Sequence, residues 1–513
     1  MLSIPITTRE MRVLEANAVG LGIPLRLLME VAGASVAKAV ESRIQPEEAG
    51  EVVVLAGKGG NGGDALVASR FLAGRGYSVT VVPAYSFELV GHPDTRANID
   101  ILMKLSTVRV CKPADIRPIR DAGVVIDGLL GTGVRGELRD PLKTIVEEAN
   151  KSKAKLKVAV DTPTGLNPDT GEVHGVAFKA DVTVTFHDVK PGLLKRPDLT
   201  GEVIVSNIGI PKEAWLYVGP GDVIHRLPKK PSDAYKGVGG RILVVGGSER
   251  FTGAPAFVGT AAIAAGADLA FIAVPEAVRD IVASYNPELI TIALPGKHFN
   301  PEHINEVTKL AKELRVHAVA VGPGLGRERD TLEFAHELIL RLVEQGMHVV
   351  VDADALRSIK FGADRLGWRA VLTPHRGEFK AMTGAELEGC PSTDAGKVVE
   401  ASSKLEAAIL LKAPVDIIAF KGKYRLNRTG NPGMSVGGTG DVLTGIVVTA
   451  LAKTEDPFTA ASVGAYLNGL AGDYLSKVLQ DIPTPTKLVD VLPAIVNNPL
   501  RIHLRTYLGI EEE

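Results

Sequence analysis

The feature that most constrains the fold is an alternation. Short β-branched runs trade places with longer segments of helical period along almost the whole chain. Residues 52–56, 78–83, 124–127 and 157–161 are runs of this kind, each closing on or beside Gly, Asp or Pro. Runs so short and so apolar suit strands buried on both faces, as in a parallel sheet. Helical patterns separate them. Thr7 or Thr8 can cap a first helix, and Leu28, Val31, Ala32, Ser35, Val36, Ala39 and Val40 fall on one face of a second. Strands alternating with helices imply an open parallel sheet with helices on both sides.

The rhythm pauses over residues 218–240, which are rich in Gly, Pro and charge. That pause predicts a boundary near residue 220, with domains over 1–218 and 236–513 and a linker over 219–235. Two domains also suit 513 residues, more than one core usually organises. Strand-like runs then resume at 242–245, 269–274, 318–321, 348–351, 371–372 and 409–411, with helical segments after Asp441 and Pro457. The two halves are not copies, because their glycine motifs differ in spacing. The tail, residues 511–513, reads as a solvated end.

Charge narrows the function. The 58 basic and 60 acidic residues nearly cancel, so bulk binding to nucleic acid or to an anionic membrane is not expected. Cys111 and Cys390 stand far apart, outside any CxxC spacing, which speaks against a disulfide scaffold or zinc site and for a reducing cytosol. The N-terminus carries charge too early for a secretory signal. The most apolar window, 258–275, contains Gly266 and Asp268 and reads as a buried helix followed by a strand rather than a membrane span. A soluble, cytoplasmic protein is expected.

The sharpest local signal is NPGMSVGGTGDVLT at 431–444, running into an apolar helix. Gly437, Gly438 and Gly440, with Thr439 among them, let the backbone turn tightly and point N–H groups inward, and the helix start adds its positive dipole end. Together they form an anion hole for a phosphate in transfer. Asp441 is sited to deprotonate a hydroxyl that attacks that phosphate; the plainer alternative makes it a helix N-cap. Other loops lie at strand ends, where open α/β sheets bind ligands. They are GGS at 246–248 with TGAP at 252–255, VGPGLG at 321–326, DADAL at 352–356, TPHRGE at 373–378, and Lys412 with Ala413.

GGTGD resembles the signature of ribokinase-like enzymes, and the set GGSERFTGAP, VGPGLG, DADAL, TPHRGEF and NPGMSVGGTGD is similar to the nucleotide-dependent NAD(P)H-hydrate dehydratases over about residues 235–500. The resemblance implies that Ala254, Gly324, His375 and Asp441 contact the hydrated nicotinamide nucleotide. It implies that Lys412, Ala413, Pro414, Val415, Asp416 and Gly440 hold ADP or ATP, with Mg²⁺ on its phosphates. The family usually has Lys-Gly-x-x-Thr where this chain reads Lys412–Asp416. Phosphorylation of the ring hydroxyl by way of Asp441, then loss of phosphate, would restore NAD(P)H.

The first glycine loop, AGKGGNGGDA at 56–65, fits GxGxxG between a strand and a helix. A Rossmann dinucleotide site also wants an acid about twenty residues on, and VVPAY stands there instead, which demotes a hydride-transferring dehydrogenase. DGLLGTG at 127–133 and DTPTG at 161–165 end two later strands. Asn61, Asp127 and Thr164 could surround a hard monovalent cation, leaving Asp161 for acid–base work. With LMExAG at 28–33, these motifs resemble the NAD(P)H-hydrate epimerase domain over about residues 8–215. The resemblance implies K⁺ on Asn61, Asp127 and Thr164. It implies hydrate contacts from Gly60, Asn61, Gly62, Gly63, Asp64, Gly131, Thr132, Gly133, Val134, Arg135, Gly136, Glu137 and Asp161. The usual Asn-Asn-Gly-Gly-Asp-Gly is Gly-Asn-Gly-Gly-Asp-Ala here, and Thr164 replaces Ser.

The expected fold is therefore a Rossmann-like three-layer αβα domain followed by a ribokinase-like α/β domain. The expected activity is bifunctional repair of hydrated NAD(P)H, on small-molecule substrates and in a homo-oligomer. One rival is a sugar or vitamin kinase with a stable phosphorylated product. The other makes the N-terminal half a non-catalytic binding module.

Overall fold

The computed structural model describes residues 5–131, 136–230 and 239–510. The chain forms two compact units, Met1–Pro211 and Lys212–Glu513. Thr132, Gly133, Val134, Arg135 and the acidic tail lie outside the described residues.

In the first unit, strands β1 (Glu51–Ala56), β2 (Ser78–Pro83), β3 (Val108–Val110), β4 (Val124–Gly128), β5 (Leu156–Val160), β6 (Val182–Phe186) and β7 (Glu202–Ser206) form one sheet in the order β3-β2-β1-β4-β5-β6-β7. Every neighbouring pair is parallel. Side chains alternate across the sheet. Val53, Leu55 and Val125 share one core with Ile145 and Val146 of the helix Leu142–Lys151, while Val52 and Val54 are fully buried on the other side. Thr7, not Thr8, caps the first helix by accepting from the Glu10 N–H at 3.2 Å. In the helix Leu25–Glu41 the expected apolar face is buried except at Val31, which is 41% exposed, and at Ser35, which is half-buried.

In the second unit, β8 (Arg241–Val245), β9 (Leu269–Pro275), β10 (Leu289–Leu294), β11 (Ala318–Val321), β12 (His348–Val351), β13 (Ala370–Leu372), β14 (Ala408–Leu411), β15 (Asp416–Phe420) and β16 (Lys423–Asn427) are ordered β10-β9-β8-β11-β12-β13-β14-β15-β16. Pairing is parallel through β14, and then β15 and β16 close the edge antiparallel. Ile242 and Val244 face a core shared with Val447, Val463 and Leu488, whereas Leu243 and Val245 face Phe334, Leu338 and Val398. The apolar window reads as expected, a helix Gly253–Ala264 and then β9. No helix among the described residues is long and apolar enough to cross a membrane.

The expected linker 219–235 needs correcting. Residues 220–226 form a short helix of the second unit, while 231–235 lie outside the described residues. Its Asp222 is fully buried against Arg425, itself 3% exposed, with Arg425 Nη2 3.0 Å from Asp222 Oδ2. The same guanidinium donates to the carbonyls of Trp215 and Tyr217 at 2.8 and 2.9 Å. Polar, glycine-rich composition suggested a free connector, but one buried ion pair fixes it.

Candidate active sites

Both sheets reverse their order of addition beside their first strand, between β1 and β4 and between β8 and β11. A crevice opens at the carboxyl ends of such strands. The glycine loops of both units lie there.

In the first unit, Gly57 follows β1. A side chain on it would run into the Leu129 carbonyl beyond β4, so the glycine serves close backbone approach. Gly62 packs on the Gly57 carbonyl, and a methyl on Gly63 would meet Met29 at 2.6 Å. These two glycines set packing rather than line the cavity. The cavity, about 190 Å³, is lined by Gly60, Asn61, Asp64, Gly131 and Asp161, joined by Glu15. Gly136 and Glu137 are exposed and do not line it.

Asp161 is the focus of that cavity. It is 7% exposed and sits at φ +59°, a conformation that costs a non-glycine residue. The fully buried Lys190 donates to its Oδ1 at 2.6 Å and to Thr185 Oγ1 and the Phe186 carbonyl at 3.0 and 2.9 Å. Around this pair, burial followed by repulsion from Asp161 pushes Glu15 up to about 7 and Asp64 well above the carboxylate range. Glu15 and Lys190 escaped the sequence reading. Glu15 lies on an ordinary amphipathic helix and Lys190 in a polar turn, with no motif around either.

Asp127 is fully buried, and burial pushes it up to about 6. It accepts from the Thr164 N–H and hydroxyl at 2.8 and 2.7 Å and from the Leu129 N–H at 3.2 Å. Among the described residues no cationic side chain pairs with it. Asn61 lies beside the loop that follows β4, since a methyl at Gly131 would lie 3.1 Å from Asn61 Oδ1. An oxygen donor set around a buried, uncompensated carboxylate fits a monovalent cation.

In the second unit, the helix Thr439–Thr454 begins with Gly438 as N-cap at φ +96°. Asp441 is therefore the third helical residue, within the first turn, and not the cap. The Thr439 hydroxyl donates to the carbonyls of Met434 and Val436 at 2.9 and 3.0 Å, which ties the loop to the helix start. N–H groups of a first turn have no intrahelical acceptors and can serve an anion, although the Thr439 N–H here also donates to the Val436 carbonyl at 3.4 Å. Gly437 has open space where a side chain would stand.

Lys412 faces this turn: a methyl at Gly440 would lie 3.7 Å from its Nζ. Its ammonium donates to Asp352 Oδ1 at 3.0 Å, and Thr444 donates to Oδ2 at 2.7 Å. Burial alone would lower Lys412, but Asp352, Glu378 and Asp441 hold it above its ordinary value. Burial opposes ionisation of Asp352 too, and Lys412 and Thr444 overcome that, so its carboxyl is held low. Among the described residues Asp441 has no such donors. Burial and then the Asp352 charge push it up to about 7, against Lys412.

His375 caps the helix Arg376–Thr383. Its Nδ1 accepts from the N–H groups of Gly377 and Glu378 at 3.0 and 3.2 Å, so the neutral ring keeps its proton on Nε2. A cavity of about 600 Å³ is lined by His375, Lys412, Ala413, Pro414, Asp416, Thr439 and Gly440 from the expected set. Val415 does not line it and packs against the core beneath. Asp416 opens β15, where its carboxylate accepts from the Ala413 N–H and Asn427 Nδ2 at 2.9 Å each. Gly437, Gly438 and Asp441 do not line this cavity, although their neighbours Thr439 and Gly440 do. Ala254 and Gly324 also lie outside it, beside each other past β8 and β11; a methyl at Gly324 would stand 3.1 Å from the Ala254 Cβ.

Comparison with known proteins places this geometry. Residues 242–494 match the family model described as NAD(P)H-hydrate dehydratase, and residues 26–192 match that of the YjeF-related protein N-terminus. The chain is 43% identical over 504 residues to a bifunctional NAD(P)H-hydrate repair enzyme of Hyperthermus butylicus, covering 96% of this chain and 93% of the relative. It is 42% identical to the protein of the same name from Pyrobaculum aerophilum, covering 96% and 98%. A solved ADP/ATP-dependent NAD(P)H-hydrate dehydratase of Bacillus subtilis, co-crystallised with ATP and Mg²⁺, aligns at 28% identity with TM-score 0.48 over 55% of this chain and 98% of its own. With relatives this similar along nearly its whole length, the chain belongs to the family of bifunctional NAD(P)H-hydrate repair enzymes.

Proposed function

We propose that this chain repairs hydrated NAD(P)H in two steps, with an epimerase in residues 1–218 and a nucleotide-dependent dehydratase in residues 236–513 supported by the helix 220–226. The observation that carries the reading is Asp441. It is an acid in the first turn of a glycine-capped helix, raised to about 7 by burial and the Asp352 charge, and its neighbour Gly440 lines, with Lys412, a cavity large enough for a nucleotide.

Hydroxide is a poor leaving group, so the hydroxyl on ring carbon six is first phosphorylated. Asp441 takes its proton while the hydroxyl oxygen bonds to phosphorus and ADP or ATP loses its terminal phosphoryl group. Backbone N–H groups of Gly437, Gly438, Thr439 and Gly440 stabilise the charge on the transferring group. Phosphate then departs with the C6–O electron pair, a proton leaves carbon five, and the double bond returns. His375, Ala254 and Gly324 hold the hydrate. Lys412, Ala413, Pro414 and Asp416 hold the adenine nucleotide, Val415 through its backbone. Mg²⁺ would neutralise the nucleotide phosphates; among the described residues no cluster of three acidic, His or Cys side chains offers a protein cage for it.

In the first unit Asp161, held by Lys190, is the acid–base group that interconverts the two hydrate epimers, so that both reach the form the dehydratase accepts. Gly60, Asn61, Asp64 and Gly131 border that substrate. Asn61, Asp127 and Thr164 would hold K⁺, whose charge compensates the buried Asp127 carboxylate. The protein acts in the cytoplasm on small molecules, as a homo-oligomer.

The test is incubation of purified protein with mixed hydrate epimers and ADP or ATP. Absorbance of reduced nicotinamide should return with release of one phosphate per turnover. A stable phosphorylated product would identify a kinase instead.

A further inference from the structure

We infer that Glu15 is the second proton-transfer group of the epimerase, giving a proton to the ring nitrogen of the hydrate while Asp161 takes one from its hydroxyl. The inference rests on the epimerase reading above and adds to it a residue outside every motif of that unit.

The helix Thr8–Gly20 turns Met11, Leu14 and Ala18 to the core, and all three are buried. Glu15 stands four residues after Met11 and three before Ala18, on the same stripe, where the pattern asks for an apolar side chain. Among the described residues nothing donates to its carboxyl and no cation pairs with it in contact. A carboxyl on a core stripe without a partner costs stability, so its place there needs another reason. Glu15 is half-buried, its carboxyl is not sealed off, and it lines the cavity that Asp161 also lines.

That cavity is about 190 Å³, less than the roughly 300 Å³ at which whole-ligand pockets begin. It takes the hydrated ring rather than the whole nucleotide, so Glu15 and Asp161 meet one ring. Their surroundings set them apart. Asp161 Oδ1 accepts from Lys190 Nζ at 2.6 Å, from the Thr185 hydroxyl at 3.1 Å and from the Phe186 N–H at 3.3 Å, so donors surround the group that is to accept a proton. Glu15 shares the cavity with Asp161, Asp64, His92 and Arg12, and Lys190 acts on it through Asp161's side. Burial first, and then the Asp161 charge, raise it to about 7 against Lys190 and Arg12. One group that keeps its proton near neutrality beside one ready to take a proton is an acid–base pair.

Carbon six of the hydrate carries the hydroxyl and is bonded to the ring nitrogen, so its configuration can invert through ring opening. Asp161 takes the hydroxyl proton, and the freed pair on oxygen becomes the second bond of a carbonyl. The C6–N bond breaks with its electron pair going to nitrogen, which takes the proton of Glu15. Rotation about the C5–C6 bond presents the other face of the carbonyl. On closure nitrogen re-forms the bond and returns its proton to Glu15, while Asp161 returns its proton to oxygen. Nothing is consumed, and both groups end as they began.

The test uses the full chain as wild type, Glu15→Gln and Glu15→Asp. Interconversion of the hydrate epimers is followed by chromatography without nucleotide, and dehydration of the accepted epimer separately with ADP or ATP. Wild-type kcat/KM for interconversion should fall as pH rises through about 7, where Glu15 loses its proton. Glu15→Gln should lower kcat about 10²–10⁴-fold with KM little changed, lose that pH limb and leave dehydration intact; Glu15→Asp should recover part of the rate. A wild-type profile without that fall overturns the inference, and this arm needs no variant to fold. A Glu15→Gln chain that keeps the rate or the limb, or loses only substrate affinity, overturns it too. If wild type interconverts no epimers, the epimerase reading itself has failed; if it does and Glu15→Gln matches it, only the role of Glu15 has.

Discussion

At the scale of single residues, two carboxylates do opposite things with burial. Asp161 is matched by Lys190 at 2.6 Å, while burial and then the Asp352 charge push Asp441 up to about 7 against Lys412. Asp441→Ala is expected to lower dehydration by about 10²–10⁴-fold, the usual worth of a general base, and to leave epimerisation intact; Asp161→Ala should do the reverse. Separate assays of the two steps check this, and loss of both steps from one substitution in a folded protein would refute a two-site enzyme. If Asp441 accepts the proton, dehydration must fall as pH drops through about 7. Stability has the opposite sign. A carboxyl whose folded value lies above its unfolded one costs nothing below pH 4 and its full penalty above about pH 7. Asp441→Asn should therefore raise the melting temperature of the ligand-free protein at pH 8 and not at pH 4, by an amount on the order of 2 kcal/mol at pH 8. Lys190→Met should cost roughly 3–5 kcal/mol, because it leaves Asp161 buried without its partner.

At the scale of elements, glycines decide how closely strands and helices meet. Gly438 holds the start of the helix Thr439–Thr454 at φ +96°, and a methyl there would press on Pro485 at 2.8 Å. Gly438→Ala is expected to cost about 1 kcal/mol in backbone strain. It should also raise the KM for nucleotide, since the N–H groups move with the cap; steady-state kinetics beside thermal unfolding separate the two effects. Gly445, two turns into the same helix, packs on the Val258 carbonyl of the helix Gly253–Ala264. Its replacement should destabilise this unit through overpacking without a selective effect on nucleotide binding.

For the whole molecule, the two units carry separate cores and separate cavities. Fragments 1–211 and 212–513 are expected to fold alone, and a mixture of them should still repair both hydrate epimers. A fragment cut at 236, where composition put the domain start, lacks Asp222 and leaves Arg425 buried and unpaired. It should be less stable than 212–513 by roughly 3–5 kcal/mol in denaturant unfolding.

The sequence by itself determined the class of fold and the loops that matter. Parallel strands buried on both faces must be apolar runs, and tight turns at their ends must carry glycine, so β1, β4, β8 and β11 and their loops were legible residue by residue. Strands whose pattern is mixed were not: β7 has no buried residue and no strict alternation, and the β15–β16 hairpin starts inside what read as a nucleotide loop. Only the tertiary structure decided which side chains share a cavity. Glu15 and Lys190 reach Asp161 from different elements, Asn468 lines the same cavity as Lys412 from a helix more than fifty residues later, and Asp222 finds Arg425 across two hundred. Pattern along a chain records which face of an element is buried. It does not record what that face meets, because the meeting depends on strand order and packing that no local stretch encodes.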